Sequence, residues 1–479
     1  MNSRNLTMLT DFYELTMANG YLQSGCGDTV GYFDMFFRKI PDDGGYAIMA
    51  GLEQVIEYLK NLKFDEDDLE YLRNKNMFCE EFIEYLKNFR FSCDIFSVPE
   101  GTPIFPHEPI ITVRGPIIQA QFIETMILLT VNHQSLIATK ANRIVRAAQG
   151  RSVMEFGSRR AQGYDGAVYG ARAAYIGGCS GTACTISDRM FGVPALGTMA
   201  HSWVQSFDTE LDSFRAYARV YPDSCVLLVD TYNVLKSGVK NAITVFKELE
   251  QSGHKPIGIR IDSGDIAYLS KAARKMLDQA GLNYCTITAS NSLDEYIITD
   301  LLNQGAKIDS FGVGERLVTS KSEPVFGGVY KLSAIEKNGE IIPKIKISEN
   351  AAKITNPAYK ELWRLYCADS GRVLADVITV AGEVIDETQP YTIFHPENTY
   401  KRKTLTNFRA VKLQVPVFLR GECVYTSPSI GEIRSYCLNE INSLWDEVKR
   451  FENPQEYYVD LSKKLWNIKN DLLNEHFSK

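Results

Sequence analysis

From Arg151 onward the chain repeats one pattern, and that pattern constrains the fold more than any other feature. Short apolar runs recur at Val153–Phe156, Pro194–Thr198, Cys225–Val229, Ile257–Ile261, Tyr284–Ala289 and Asp309–Val313. Helical periodicity fills the intervals Gln205–Arg219, Val234–Gln251, Ile266–Gln279 and Ser292–Asn303. Strand–helix alternation of this kind predicts parallel strands joined by helical crossovers. A polar residue or a glycine follows almost every strand: Arg159, His201, Asp230, Asp262, Asn291 and Gly314. An open doubly wound sheet gathers ligand groups at one switch point, whereas a barrel spreads them around the rim at its strand ends. The expected fold is therefore an irregular α/β (TIM-like) barrel over residues 151–328.

The rest of the chain reads as a flanking α+β domain split between the two ends. Within residues 1–150, Leu9–Tyr21, Ala47–Leu62, Glu80–Phe89 and Ile117–Gln149 have helical spacing, and Gly31–Phe37 alternates as a strand. Phe96–Pro116 is rich in proline and β-branched residues, which predicts small antiparallel strands in tight turns. Within residues 329–479, Val329–Ile335 and Ile341–Ile347 flank Asn338-Gly339 as a hairpin; strands continue to about Ser427, and a helical tail closes the chain.

Composition excludes several classes of function. The 479 residues carry a net charge of −7, which argues against a nucleic-acid surface, so anionic ligands must be met by local arginines. No apolar run is long enough to span a membrane, and the start of the chain has no signal-peptide core. Ten scattered cysteines include no CxxC pair and no Cys/His cluster of zinc spacing, so no protein metal site is expected and a reduced, cytoplasmic chain is the simplest account.

Four stretches carry chemistry. In Ile259–Asp265, IRIDSGD, Arg260 and Asp262 share one side of a strand end and suit a ribose phosphate and its hydroxyls; Ser263, Gly264 and Asp265 then open a helix, whose free N–H groups attract anions. Read alone, the same residues make an ordinary helix cap. TASN places Ser290 and Asn291 at the next strand end, and FGVG places Gly312 and Gly314 at the one after, where glycine lets the backbone approach a phosphate. Each is also a normal turn by itself. GTMAHSW delivers His201 and Ser202, a proton shuttle or nucleophile beside an anion site, and Arg159-Arg160 follow the first strand with a fork suited to carboxylate or phosphate.

Taken in order, EFGSRRAQGYDGA, GTMAHS, IRIDSGD, TASN and FGVG closely resemble the nicotinate phosphoribosyltransferase family, and LTDFYELTMANGY and FGGVYKL fit it too. The resemblance implies transfer of the phosphoribosyl group of phosphoribosyl pyrophosphate (PRPP) to nicotinate, giving nicotinate mononucleotide and pyrophosphate in NAD biosynthesis. It implies Mg²⁺ as cofactor, ATP as co-substrate through a phosphorylated His201, and a homodimer with shared sites. By motif matching, Tyr13 would stack on the nicotinate of the neighbouring subunit, and Thr198 with Arg159 or Arg160 would line its pocket. Arg260 and Asp262 would contact the ribosyl substrate, with Ser290, Asn291, Gly312 and Gly314 near its phosphate. Glu315 stands where a small hydroxyl residue is expected, and a carboxylate repels phosphate. Rival readings are a nicotinamide-specific transferase, a decarboxylating quinolinate enzyme and a non-catalytic sensor; the paired arginines, His201, and the trio His201, Arg260 and Asp262 weigh against them in turn.

Overall fold

The computed structural model describes residues 4–350 and 353–477. Two compact units divide the chain: Ile137–Pro324, and the segments on either side of it taken together. The expected boundaries at 150 and 328 compare with observed ones at 136 and 324.

The inner unit contains a parallel sheet of strands β1 (Ser152–Glu155), β2 (Gly181–Thr182), β3 (Val226–Leu228), β4 (Gly258–Ile261), β5 (Thr286–Asn291) and β6 (Ser310–Val313). Their order is β2-β1-β6-β5-β4-β3, and every ladder is parallel. The last strand pairs with the first, so the order runs cyclically through the sequence, with one unjoined step from the β2 side to β3. Leu227, Leu228, Ile259, Ile261, Ile287, Ala289, Phe311 and Val313 are completely buried. Parallel strands covered on both faces read as continuous apolar runs, which is why these segments were legible. Each of the larger side chains among them contributes about 1.5–3 kcal/mol on burial.

Local signals start the helices that follow. Asp265 accepts the N–H of Tyr268 at 2.9 Å ahead of helix Ile266–Gln279, and Asp294 accepts that of Ile297 at 2.9 Å ahead of Glu295–Asn303. Asn233 accepts the N–H of Lys236 at 2.8 Å and opens a π-helical turn, Val234–Gly238, before Val239–Gln251. A Cβ on Gly238 would lie 1.9 Å from the carbonyl oxygen of Val229, so only glycine permits this approach.

One expected strand is corrected. Pro194–Thr198 forms a single parallel bridge, Ala195 to Thr182, and the strand beside β1 is instead Gly181–Thr182. The segment is mostly exposed, and with a proline, a glycine and Thr198 as its one β-branched residue it is a poor strand former.

The outer unit is built on a seven-stranded antiparallel sheet that includes Val30–Phe36, Ile111–Pro116, Asp94–Ser97 and Val329–Lys337. A four-stranded sheet accompanies it: Phe408–Lys412, Lys360–Cys367, Val373–Val380 and Val459–Leu461. A hydrophobic core runs through the unit, with Phe33 stacked on Tyr330 at 5.1 Å between ring centroids, and a smaller one lies around Leu365, Val377 and Phe408. Buried ion pairs join it, Arg364 with Asp376 at 2.6 Å and Lys360 with Asp34 at 2.7 Å. The hairpin turns at Asn338 and Gly339, both with positive φ, as such a two-residue turn demands. Two expectations shift here: Ala47–Ile48 is a short strand ahead of helix Leu52–Lys60, and strand Val459–Leu461 interrupts the helical tail, whose last two residues lie outside the described ones.

Candidate active site

Some of the polar residues predicted at the strand ends of the inner unit meet in one hydrogen-bonded group, with His201 beside it. Arg260 projects from β4 and is fixed on several edges. Its Nε donates to Ser290 Oγ at 2.9 Å, its Nη1 donates to Thr198 Oγ1 at 3.0 Å and to the carbonyl of Met199 at 3.4 Å, and its Nη2 lies 3.5 Å from Asp262 Oδ1. The Phe156 ring lies 5.8 Å from the guanidinium carbon. Ser290 donates its own proton to Asp262 Oδ1. Register explains the meeting: Thr288 pairs with Arg260 across the parallel ladder, which leaves Ser290 just beyond the guanidinium.

His201 begins the short helix His201–Gln205, and its ring is 40 % exposed. Nδ1 is 3.1 Å from Thr231 Oγ1. Nε2 faces two carboxylates, Asp262 Oδ2 at 3.8 Å and Asp230 Oδ1 at 4.0 Å. That field favours the tautomer with its proton on Nε2, and Nδ1, the nitrogen with the lone pair, then accepts the hydroxyl proton of Thr231.

Sequence reasoning placed Asp230 at a strand end but did not select it for the site. Its side chain is 1 % exposed. Oδ2 accepts the N–H of Asp262 at 3.1 Å and the hydroxyl of Ser263 at 2.6 Å, so one carboxylate ties the exit of β3 to the exit of β4. Oδ1 is buried and has no hydrogen-bond partner. The available signal was positional: Asp230 follows the apolar run Cys225–Val229 just as Asp262 follows Ile257–Ile261. Thr231 was missed for lack of any motif.

The other expected residues divide by environment. Gly264 takes a φ of +83°, and Asp265 is occupied as a helix cap. Ser202 is exposed. Asn291 has a φ of +115° and accepts the N–H of Ser292 at 2.8 Å, so it shapes the turn after β5. Gly312 lies against the Phe156 ring, and Gly314 precedes the single turn Glu315–Val318. Arg159 and Arg160 end a short 3₁₀ turn, Ser158–Arg160; both are exposed, and among the described residues neither guanidinium makes an ion pair. Glu315 is paired with Lys321 at 2.9 Å, which holds its carboxyl below the usual range. Tyr13 belongs to the outer unit, on helix Phe12–Gln23, and is 43 % exposed.

Comparison with known proteins gives this arrangement a family. Residues 151–372 match the nicotinate phosphoribosyltransferase (NAPRTase) family, residues 8–132 its N-terminal domain and residues 359–469 its C-terminal domain. A nicotinate phosphoribosyltransferase of Bacillus subtilis (strain 168) is 44 % identical over 471 residues, spanning 98 % of this chain and 96 % of that protein. The chain belongs to the nicotinate phosphoribosyltransferase family. A Homo sapiens nicotinate phosphoribosyltransferase is 29 % identical over 522 residues, covering 97 % of this chain and 96 % of its own length. The crystal structure of human nicotinic acid phosphoribosyltransferase superposes with a TM-score of 0.86 at 28 % identity, over 97 % of this chain and 99 % of that one. A nicotinate-nucleotide pyrophosphorylase from Pyrococcus furiosus shares the fold, with a TM-score of 0.71 at 21 % identity over 92 % of this chain and 97 % of that one. Among the described residues of this family member, no helix is long and apolar enough to cross a membrane.

Proposed function

We propose that this chain transfers the phosphoribosyl group of PRPP to nicotinate, forming nicotinate mononucleotide and pyrophosphate, and couples the transfer to ATP hydrolysis through a phosphorylated His201. The joining of Arg260, Asp262, Ser290 and His201 in one group, within a chain of this family, carries the reading. Displacing pyrophosphate from the ribose passes through an oxocarbenium-like state, so the protein must orient the reactants and meet developing charge. Arg260 supplies a fixed cation to the ribosyl substrate, and Asp262, the more exposed carboxylate, faces its hydroxyls and the cationic ring. The glycines at 312 and 314 and the turn at Ser290–Asn291 leave room for the phosphate. Thr198 and the Arg159–Arg160 turn receive nicotinate, whose carboxylate matches the guanidinium fork.

His201 Nδ1 takes the phosphoryl group of ATP, with Asp230 and Asp262 holding the proton on Nε2. Phosphorylation adds about −1.5 to −2 charges beside Arg260 and so changes what the cation binds. Among the described residues no group of three or more His, Cys, Asp or Glu side chains is arranged to hold a metal. Magnesium would arrive with the pyrophosphate of PRPP, where it would supply counter-charge to the leaving group. We assign Tyr13 to the nicotinate of a partner subunit in a homodimer, and the cyclic strand order to an irregular barrel. The scattered cysteines, with no disulfide among the described residues, support a cytoplasmic setting.

The test is product identification. The purified chain with PRPP, Mg²⁺ and ATP is expected to convert nicotinate to its mononucleotide with release of ADP, and nicotinamide poorly. His201→Asn is expected to lose ATP hydrolysis and acid-labile phosphate on the protein while a weak ATP-independent transfer remains. Equal turnover of the amide, or ATP hydrolysis by the Asn variant at the wild-type rate, overturns the corresponding part.

A further inference from the structure

The arginine turn is braced by a buried carboxylate that the chemistry above leaves unused. Glu155 ends β1 and is 1 % exposed. One carboxylate oxygen accepts the backbone N–H of Gly157, which folds the chain back two residues past the strand and starts the turn Ser158–Arg160. The other accepts the Thr182 hydroxyl at 2.6 Å. Thr182 Oγ1 in turn accepts the N–H of Cys184 at 2.9 Å, so the threonine proton is directed to Glu155.

Thr182 also carries the next part of the site. Its N–H donates to Pro194 O at 2.9 Å, and its carbonyl accepts the N–H of Leu196 at 2.8 Å. That segment runs on to Thr198, which accepts from Arg260. One carboxylate thus connects the turn presenting Arg159 and Arg160 to the segment presenting Thr198. The turn has little room to move: a Cβ on Gly157 would lie 2.6 Å from Val318 Cγ1 and 2.7 Å from the Glu155 carboxylate. Burial raises the Glu155 pKa against the pull of both hydrogen bonds. A carboxylate in this place opposes its own burial, and an apolar pair is often as stable or more so. Its use here therefore answers to geometry.

We propose that Glu155 is a positioning residue for acid-over-amide selectivity: it sets the Arg159–Arg160 turn against the Thr182–Thr198 segment so that a guanidinium meets the carboxylate of the pyridine substrate. This rests on the arginine–carboxylate contact proposed above. The experiment uses the full-length chain and the variants Glu155→Gln, Glu155→Ala and Thr182→Val, with Arg159→Ala and Arg160→Ala as references. KM and kcat are measured for nicotinate, and the inhibition constant for nicotinamide as competitor, with thermal unfolding in parallel. Glu155→Ala is expected to raise KM for nicotinate about tenfold or more, to keep kcat at saturation within about threefold, and to change the nicotinamide constant by no more than about twofold. Glu155→Gln retains an amide oxygen for the Gly157 N–H and should fall between wild type and Ala; Thr182→Val should resemble it. If Glu155→Ala does not fold, Gln and Val decide.

Equal weakening of acid and amide, or a lower unfolding temperature with an unchanged acid-to-amide ratio in Gln and Val, overturns the proposal. Arginine variants that shift the ratio while Gln and Val leave it alone refute the role of Glu155 only. Should neither arginine variant shift it, the contact itself is wrong and the proposal falls with it.

Discussion

Replacing Asp230 by Asn removes one negative charge beside His201 while keeping the shape of the side chain. Asp230 Oδ2 accepts the Asp262 N–H at 3.1 Å and the Ser263 hydroxyl at 2.6 Å, and an amide oxygen can take both. The amide nitrogen then falls where Oδ1 was, 4.0 Å from His201 Nε2. Two unit charges at that distance interact by about 4 kcal/mol at an effective dielectric of about 20. The ring is 40 % exposed and the Asp262 carboxylate stays at 3.8 Å, so solvent screens the lost term. About 1–2 kcal/mol should be missing from stabilisation of the imidazolium-like charge that develops during phosphoryl transfer. That corresponds to roughly 5- to 30-fold in rate. Folding should change little, because an acceptor without a partner is replaced by a donor of equal size. Rapid-quench measurement of acid-labile phosphate on the protein, from ATP labelled in the γ position, reads the rate directly. A rate within about twofold of wild type refutes the electrostatic argument. A lower unfolding temperature with an unchanged rate per folded molecule would leave Asp230 as a brace between two loops and nothing more.

Three further outcomes are expected. Asp460 is buried in the outer unit, and burial lifts its carboxyl from 3.8 to about 6; the fold therefore carries a penalty above about pH 6 that disappears as pH falls toward the unfolded value, so Asp460→Asn should stabilise by about 1–2 kcal/mol at pH 8 and not at pH 4, after discounting for partial screening. Urea unfolding at the two pH values checks this, and an equal shift at both contradicts it. Gly312→Ala would place a Cβ 2.5 Å from the Phe156 ring that backs Arg260; a cost of about 1–3 kcal/mol in stability with a larger fall in kcat/KM for PRPP is expected, and unchanged kinetics would detach Phe156 from the site. Tyr13→Ala and Arg260→Ala should each be nearly inactive, yet an equal mixture refolded together should recover about a quarter of wild-type activity if sites are shared across a two-fold interface, because half the dimers are mixed and each has one intact site. No recovery with heterodimers demonstrated would remove Tyr13 from the partner's site.

What was legible in the sequence was whatever rests on local periodicity. The strands at Ile257–Ile261 and Tyr284–Ala289 appear as apolar runs because a parallel strand is buried on both faces, and residues one or two past each run land at the same edge of the parallel sheet. Pro194–Thr198 misled because a short apolar run bounded by glycine and proline has no period of its own; Gly181–Thr182, only two residues long, offered no run to detect. Ala47–Ile48 was absorbed into a helix for the related reason that its apolar residues continue smoothly into Leu52–Lys60. Asp230 and Thr231 were overlooked as site residues because their meaning lies in long-range partners: the contact of Asp230 with Ser263 joins residues 33 apart, and that of Thr231 with His201 residues 30 apart. Asp265 shows the converse, since a residue inside a recognised motif is occupied with starting a helix.

The fastening of Arg260 has a thermodynamic consequence. An arginine free to rotate surrenders about 2 kcal/mol of rotamer entropy when an anion captures it. Here Ser290, Thr198 and the Met199 carbonyl hold the guanidinium before any anion arrives. The disorder of that side chain is lost while the polypeptide folds, and the binding step is spared it. On the assignment of Arg260 proposed above, affinity for the ribosyl substrate should then depend weakly on temperature through this group, and its association should need no slow rearrangement of the cation. Lysine at the same position, with three donors on a flexible stem and no planar fork, would reproduce the charge and forfeit the timing.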